Sequence, residues 1–189
     1  RNQLGVEDEF LLFVGTLEPR KNLPTLLKAF EKVLCDTTWR PQLVIAGGEG
    51  WLMDEFLASL KDSVDSKRVR LTGYLPDTHL CALYSSCRVF IYPSVYEGFG
   101  FPPLEAMACG AAVIASRIEA LQETLGGAAC FIDPLDAEAL AANIVELLED
   151  EARRMEISSK GRQQASSFSW DATARRTLDV YREVMSLKK

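Results

Sequence analysis

The chain has 189 residues, 48% of them hydrophobic and 25% charged, and its 21 basic and 27 acidic side chains leave a net charge of −6. That length can bury a substantial core, and the composition is that of a globular fold, which excludes disordered and fibrous classes. The acidic balance argues against a general nucleic-acid or membrane-binding surface, and no apolar run reaches the roughly 18 residues that a bilayer span needs.

Residues Arg1 to Glu9 are polar and read as a linker. Phe10 to Gly15, FLLFVG, is a continuous apolar run ended by glycine, the pattern of a strand buried on both faces. The next residues, TLEPRKN, place Arg20 and Lys21 just before a helix capped by Asn22, with Pro24 in its first turn. Leu23, Leu26, Leu27, Phe30, Val33 and Leu34 then recur at helical spacing. Leu43 to Ala46 is a second strand, ended by Gly47 and Gly48, and Trp51 to Lys61 reads as a helix. Val69 to Thr72 is a third strand, followed by the loop Gly73 to Asp77 and a helix marked by Leu80, Leu83, Tyr84 and Cys87.

Val89 to Tyr92 and Ala112 to Ala115 are the fourth and fifth strands, with a short helix opening at Pro102 between them, and Ala129 to Ile132 is the sixth. Asp136 caps a helix carrying Leu140, Ile144, Leu147 and Leu148; a second begins near Glu151. Ser169 caps the last, with Trp170, Ala174, Leu178, Tyr181 and Met185 on one face. Alternating strands and helices predict a three-layer, Rossmann-like α/β fold: a parallel sheet of about six strands with helices on both faces. One domain, from residue 10 to 189, is the simplest count.

Ligands of such sheets bind at the carboxyl ends of the strands. There the first loop carries Arg20 and Lys21, and the fourth reads PSVYEGFGFPPLEAMACG from Pro93. Gly98 and Gly100 let a ligand approach the backbone, and the helix start beyond them suits a phosphate. Glu97 and Glu105 would repel that phosphate, but as carboxylates they accept strong hydrogen bonds from sugar and ribose hydroxyls. Cations and a helix start flanked by two hydroxyl acceptors describe a sugar nucleotide. Glu105 also has a plain structural reading, since an acid in a first helical turn complements the dipole by about 0.3–1 kcal/mol.

Other chemistries fit poorly. A nicotinamide site would need G-x-G-x-x-G after the first strand, where Gly15 is followed by Thr16-Leu17-Glu18-Pro19. The Gly47-Gly48-Glu49-Gly50 cluster lacks the Lys-Ser/Thr of a P-loop and reads as a turn that can also line the crevice. No D-x-D pair is present, so the diphosphate is expected to bind through Arg20, Lys21 and the helix dipole, with no metal and no cofactor. His79 and Cys81 make at most half a metal site. Cys35, Cys81, Cys87, Cys109 and Cys130 lack C-x-x-C spacing and read as reduced core thiols of a cytosolic protein.

FVGTLEPRKNL, LVIAGGEGW, VRLTGYLPDTHLCALYSSC, the E-x7-E element EGFGFPPLE, AMACGAAVIAS and FSWDATA together resemble the carboxyl-terminal domain of retaining GT-B glycosyltransferases of family 4. The resemblance runs from about Phe10 to the last helix and implies a nucleotide-diphosphate sugar as substrate, GDP-mannose favoured over UDP-glucose. It implies that Glu97 contacts the donor sugar beside the backbone of Gly98, Phe99, Gly100 and Phe101, that Lys21 binds the diphosphate, and that Glu105 holds the ribose. Gly15 and Gly47 would line the donor site, and the Gly73 to Asp77 loop, through Tyr74 and Leu75, would meet the base. Where the family often has an arginine after the first strand's glycine, this chain has Thr16, so either Arg20 supplies that charge or the diphosphate is held less tightly.

The same resemblance implies hexosyl transfer to an acceptor hydroxyl in polysaccharide or glycoconjugate assembly, at the cytoplasmic side of the cell, with Glu97, Lys21 and Arg20 as the catalytic set. The acceptor glycan would bind an amino-terminal domain absent from these residues, to which the final helix would return. A non-catalytic nucleotide-binding module, or an epimerase or hydrolase on the same scaffold, are the alternative readings.

Overall fold

The computed structural model describes residues 4–52, 56, 58, 60 and 68–186. Within them six strands, β1 (Phe10–Val14), β2 (Gln42–Ala46), β3 (Val69–Gly73), β4 (Val89–Tyr92), β5 (Val113–Ser116) and β6 (Cys130–Ile132), form one all-parallel sheet in the order β3-β2-β1-β4-β5-β6. Most of these strands are short and nearly pure in apolar residues because both faces are covered. Every residue of β1, β2, β4 and β5 is buried. Each large aliphatic side chain enclosed this way contributes about 1.5–3 kcal/mol.

The strand order reverses between β1 and β4, where the chain stops building toward one edge and starts toward the other. Right-handed crossovers running in opposite directions place helices on opposite faces. Helix α1 (Leu23–Asp36) packs with α5 (Ala137–Glu149), and α3 (Phe101–Ala108) packs with α6 (Glu151–Ser166). Between them in sequence lie α2 (Asp77–Tyr84) and α4 (Glu119–Leu125). The helix expected over 51–61 falls largely outside the described residues.

Helix α4 is an addition to the elements that the sequence predicts. It has seven residues, no side-chain cap, and buries only Leu121, Thr124 and Leu125, too little to show as a helical period in sequence. Asp136 does cap α5, accepting from the Ala139 N–H at 2.8 Å, and Ser169 accepts from the Ala172 N–H at 3.1 Å at the start of α7 (Trp170–Ser186). Helix α7 buries no residue, and Trp170, Leu178, Tyr181 and Met185 are 50–77% exposed. Cys35 and Cys81 are also exposed and so are not the core groups that their apolar neighbours suggested, whereas Cys87, Cys109 and Cys130 are half-buried and pack against the core.

Asn22 stands at the start of α1 in the left-handed conformation, φ 57°, which asparagine tolerates better than most residues. Its side chain does not cap the helix as expected. The amide instead donates to Pro93 O at 3.1 Å and Pro134 O at 2.6 Å, tying the loops after β4 and β6 to the loop after β1. The Gly47 to Gly50 turn packs against the same loop: a Cβ on Gly47 would lie 1.9 Å from Gly15 O, and Gly50 N donates to Leu17 O at 3.0 Å. Residues 4–9 lie across the opposite ends of the strands, with Val6 buried, Arg88 paired to Glu9, and Glu7 N–H donating to Gln42.

Candidate functional site

The crevice opens where the strand order reverses, between the loops after β1 and β4. The chain leaves β1 through Gly15 and Thr16, turns over a 3-10 segment at Pro19–Lys21, and presents Arg20 and Lys21 toward the neighbouring loop. That loop leaves β4 at Pro93 and brings Glu97 back across them. A cavity of about 450 Å³ results, lined by Gly15, Thr16, Arg20, Lys21, Tyr92, Glu97 and the backbone from Gly98 to Pro102. Side chains 76 and 77 positions apart in sequence thus meet at one point.

The contacts there are short and specific. Lys21 Nζ donates to Glu97 Oε1 and to Tyr92 Oη, both at 2.6 Å, while Arg20 Nη1 donates to Glu97 Oε2 at 2.7 Å. A second acid, Glu18, holds Arg20 Nη2 at 2.5 Å. The side chains of Lys21 and Glu97 are only 6% and 8% exposed, so this is a desolvated pair, and Arg20, at 39%, is the partner nearer solvent. Burial raises the Glu97 pKa, but the hydrogen bond and charge of Lys21 outweigh it and hold the carboxyl below its ordinary value. Burial also lowers the Lys21 ammonium, by more than Glu97 restores, and keeps the Tyr92 phenol well above its ordinary range.

Two cations and two carboxylates share this cluster, so its formal charge sums to zero. The sequence assigns Arg20 and Lys21 to the diphosphate and Glu97 to the sugar; the fold pairs them with one another, with Glu18 and Glu97 as internal counter-ions. The helix start is also weaker in donors than its position implied. Pro102 and Pro103 carry no N–H, so the first turn of α3 offers only that of Phe101. Gly100 opens the helix at φ 89°, where a Cβ would lie 2.4 Å from Leu121 Cδ2, so a side chain is excluded there on two counts.

The remaining candidates sit around this centre rather than in it. Glu105, exposed, accepts from Tyr84 Oη at 3.0 Å on the side facing α2. Tyr74 is 80% exposed at the end of β3, whereas Leu75 is 6% exposed, which leaves its backbone rather than its side chain available to a ligand. Gly47 does not line the cavity; its close contact with Gly15 O makes it a packing position. Tyr92, Thr16 and Pro102 line the cavity and were not proposed from sequence. Tyr92 could have been found as a hydroxyl-bearing aromatic at the last residue of an otherwise apolar strand.

Phe99 and Phe101 carry the cavity wall outward into an aromatic cluster, Phe99 against Phe168 at 5.8 Å and Phe101 against Trp170 at 6.1 Å. A larger depression of about 550 Å³ lies between α1 and α5, but among the described residues its one cation, Lys32, is taken up by Asp36 and Glu138, both at 2.9 Å, and the rest of its polar lining is Thr37, Glu146 and Glu149. Among the described residues no three His, Cys, Asp or Glu side chains are grouped as a metal site, and no helix is long and apolar enough to cross a membrane.

Residues 1–164 match the family described as "Glycosyl transferases group 1". The chain is 38% identical over 173 residues to the O-antigen chain mannosyltransferase B of Escherichia coli, covering 92% of this chain and 45% of that protein. It is 31% identical to a D-inositol 3-phosphate glycosyltransferase of Kineococcus radiotolerans, covering 98% and 47%. The sucrose-phosphate synthase structure from Thermosynechococcus elongatus superposes with a TM-score of 0.82 at 31% identity, covering 99% of this chain and 48% of that one. The Anabaena protein HepE, solved with UDP-glucose, superposes with a TM-score of 0.82 at 22% identity, covering 97% and 51%. The chain spans about half the length of these proteins.

Proposed function

As this chain belongs to the glycosyl transferases group 1 family, we propose that it is the donor-binding half of a retaining GT-B glycosyltransferase. It moves a hexosyl group, mannosyl in preference to glucosyl, from a nucleotide-diphosphate sugar to an acceptor hydroxyl. The observation that carries this reading is the meeting of Arg20, Lys21 and Glu97 over a Gly-rich loop at the reversal of the strand order, where open α/β sheets hold nucleotides. Support for the donor class comes from HepE, solved with UDP-glucose, and for mannose from the Escherichia coli relatives.

The diphosphate enters beside Lys21 and displaces the Glu97 carboxylate from it. Arg20, the more exposed cation, swings from Glu18 and Glu97 to the same phosphates. Glu97, released, accepts from hydroxyls of the donor sugar, and Glu105 accepts from the ribose. As the bond from the anomeric carbon to the diphosphate oxygen breaks, negative charge grows on the leaving diphosphate, and fixed cations in a desolvated site stabilise it. No metal is required by this arrangement. The acceptor, a glycan or a lipid-linked glycan, is held by a second, amino-terminal domain that the exposed apolar face of α7 contacts, at the cytoplasmic side of the cell, in polysaccharide assembly.

The test is transfer from GDP-mannose and UDP-glucose by the full-length enzyme carrying Lys21→Ala. Turnover with GDP-mannose should fall by roughly two orders of magnitude, the scale of one lost donor to a developing anion, with a smaller change in KM. An unchanged kcat would remove Lys21 from leaving-group stabilisation and with it the proposed mechanism.

A further inference from the structure

Helices α2 and α3 pack beside Glu105, and Cys81 on α2 neighbours Cys109, the residue that caps the end of α3. Cys81 lies three residues before Tyr84, and Cys109 four residues after Glu105, so each thiol shares a helix face with one member of the Tyr84–Glu105 hydrogen bond. The two faces meet. The Cys109 thiol has Cys81, Ser85 and Glu105 among its polar neighbours, with Tyr84 and Cys87 also near, and Ser85 is itself fixed by its hydroxyl donating to Cys81 O at 2.6 Å. Both thiols are free, Cys81 exposed and Cys109 half-buried.

These environments give the two sulfurs different reactivity. Cys81 meets solvent and can attack first. Burial, then the neighbouring Cys81, pushes the Cys109 thiol above its ordinary value, so it is a poor first nucleophile but is well placed to act second. Cys87 also neighbours Cys109, but its thiol is enclosed and pushed up to about 12 by burial, so it is no first nucleophile, and Cys35 stands at the far end of α1.

We propose that Cys81 and Cys109 form a reversible disulfide that pins α2 to α3 beside Glu105. The oxidant is a low-molecular-weight disulfide such as oxidised glutathione. The Cys81 thiolate attacks one of its sulfurs, that S–S bond breaks, and one small thiol leaves. Cys109 then gives its proton to solvent and attacks Cys81 Sγ, expelling the second small thiol. Two protein thiols are oxidised and one disulfide is reduced to two thiols. Bridging the helices draws Cys109 toward α2, and Glu105, one turn away on the same face, moves with it. This effect on Glu105 rests on its proposed ribose contact; the disulfide itself does not.

The experiment is incubation of the protein in a glutathione redox series, followed by blocking of free thiols and peptide mapping, with Cys81→Ser, Cys109→Ser and Cys35→Ser in parallel. The expected result is recovery of a linked Cys81–Cys109 peptide that dithiothreitol releases, with exposed Cys35 taking up glutathione only as a mixed disulfide. Cys109→Ser should leave Cys81 as a mixed disulfide with glutathione, and Cys35→Ser should leave the Cys81–Cys109 peptide unchanged. No linked peptide, or one joining other cysteines, overturns the proposal.

Affinity for GDP is then measured on reduced and oxidised protein. It should weaken about tenfold on oxidation, the scale of one hydrogen bond to a charged group, and only when both cysteines are present. A mapped disulfide with unchanged GDP affinity overturns the link to Glu105. Absence of GDP binding even in the reduced protein counts against the donor-site reading instead, leaving the mapped disulfide standing.

Discussion

Replacing Glu97 with glutamine should weaken the fold and strengthen nucleoside diphosphate binding at the same time. The carboxylate is 2.6 Å from Lys21 and 2.7 Å from Arg20, with both Lys21 and Glu97 almost fully enclosed. Breaking a buried pair costs about 3–5 kcal/mol when the partner is stranded. Here the substituted amide can still accept one hydrogen bond and Arg20 keeps Glu18, so a loss of about 2–3 kcal/mol is expected. Binding moves the other way. A phosphate that takes the place of the Glu97 carboxylate on Lys21 leaves that carboxylate about 6 Å away, a like-charge cost of roughly 3 kcal/mol at an effective dielectric of about 20. Release of Arg20 and solvent screening remove about half of that.

The net expectation is a gain of about tenfold in GDP affinity, with a loss of affinity for GDP-mannose relative to GDP because the sugar contact is gone. Calorimetric titration of both ligands, alongside urea denaturation, reads all three quantities. GDP affinity that is unchanged or lower in the glutamine variant would refute the idea that Glu97 occupies the place of the diphosphate.

Asn22→Ala removes the amide that joins two loop carbonyls and places a poorly tolerated residue at φ 57°, and should cost about 2–3 kcal/mol by chemical denaturation. Gly47→Ala forces a Cβ to within 1.9 Å of Gly15 O and should destabilise by about 3 kcal/mol or more, read as a fall in the thermal midpoint. Glu9 and Glu97 both have folded pKa values below the ordinary 4.5, Glu9 chiefly through its hydrogen bond to Arg88. Their contribution is therefore full above that value and lost as pH falls through the depressed folded values, so a denaturation series below pH 4.5 should be steeper for wild type than for Glu97→Gln.

The strands were legible because a central parallel strand, buried on both faces, must be a short unbroken apolar run, as FLLFV and VFIY are. Helix α4 was not, since seven residues with two buried leucines carry no period. The site was legible as a set of residue types, not as an electrostatic state. Lys21 and Glu97 are visible in sequence, but nothing in TLEPRKN or EGFGFPPLE says that they bond each other across the reversal of strand order. Asn22 misled for a related reason. Its position before a helix is that of a cap, but a left-handed backbone turned the amide toward two distant carbonyls. Pro102 and Pro103 were readable throughout as missing donors at the head of α3.

The most direct measurement is calorimetric titration of this chain with GDP and with UDP, with and without magnesium, beside Glu105→Ala. The account predicts binding of one nucleotide in preference to the other, with GDP the stronger, unchanged by a chelator and weakened about tenfold in the variant. No heat from either nucleotide at millimolar concentration, or binding that Glu105→Ala leaves untouched, would contradict it.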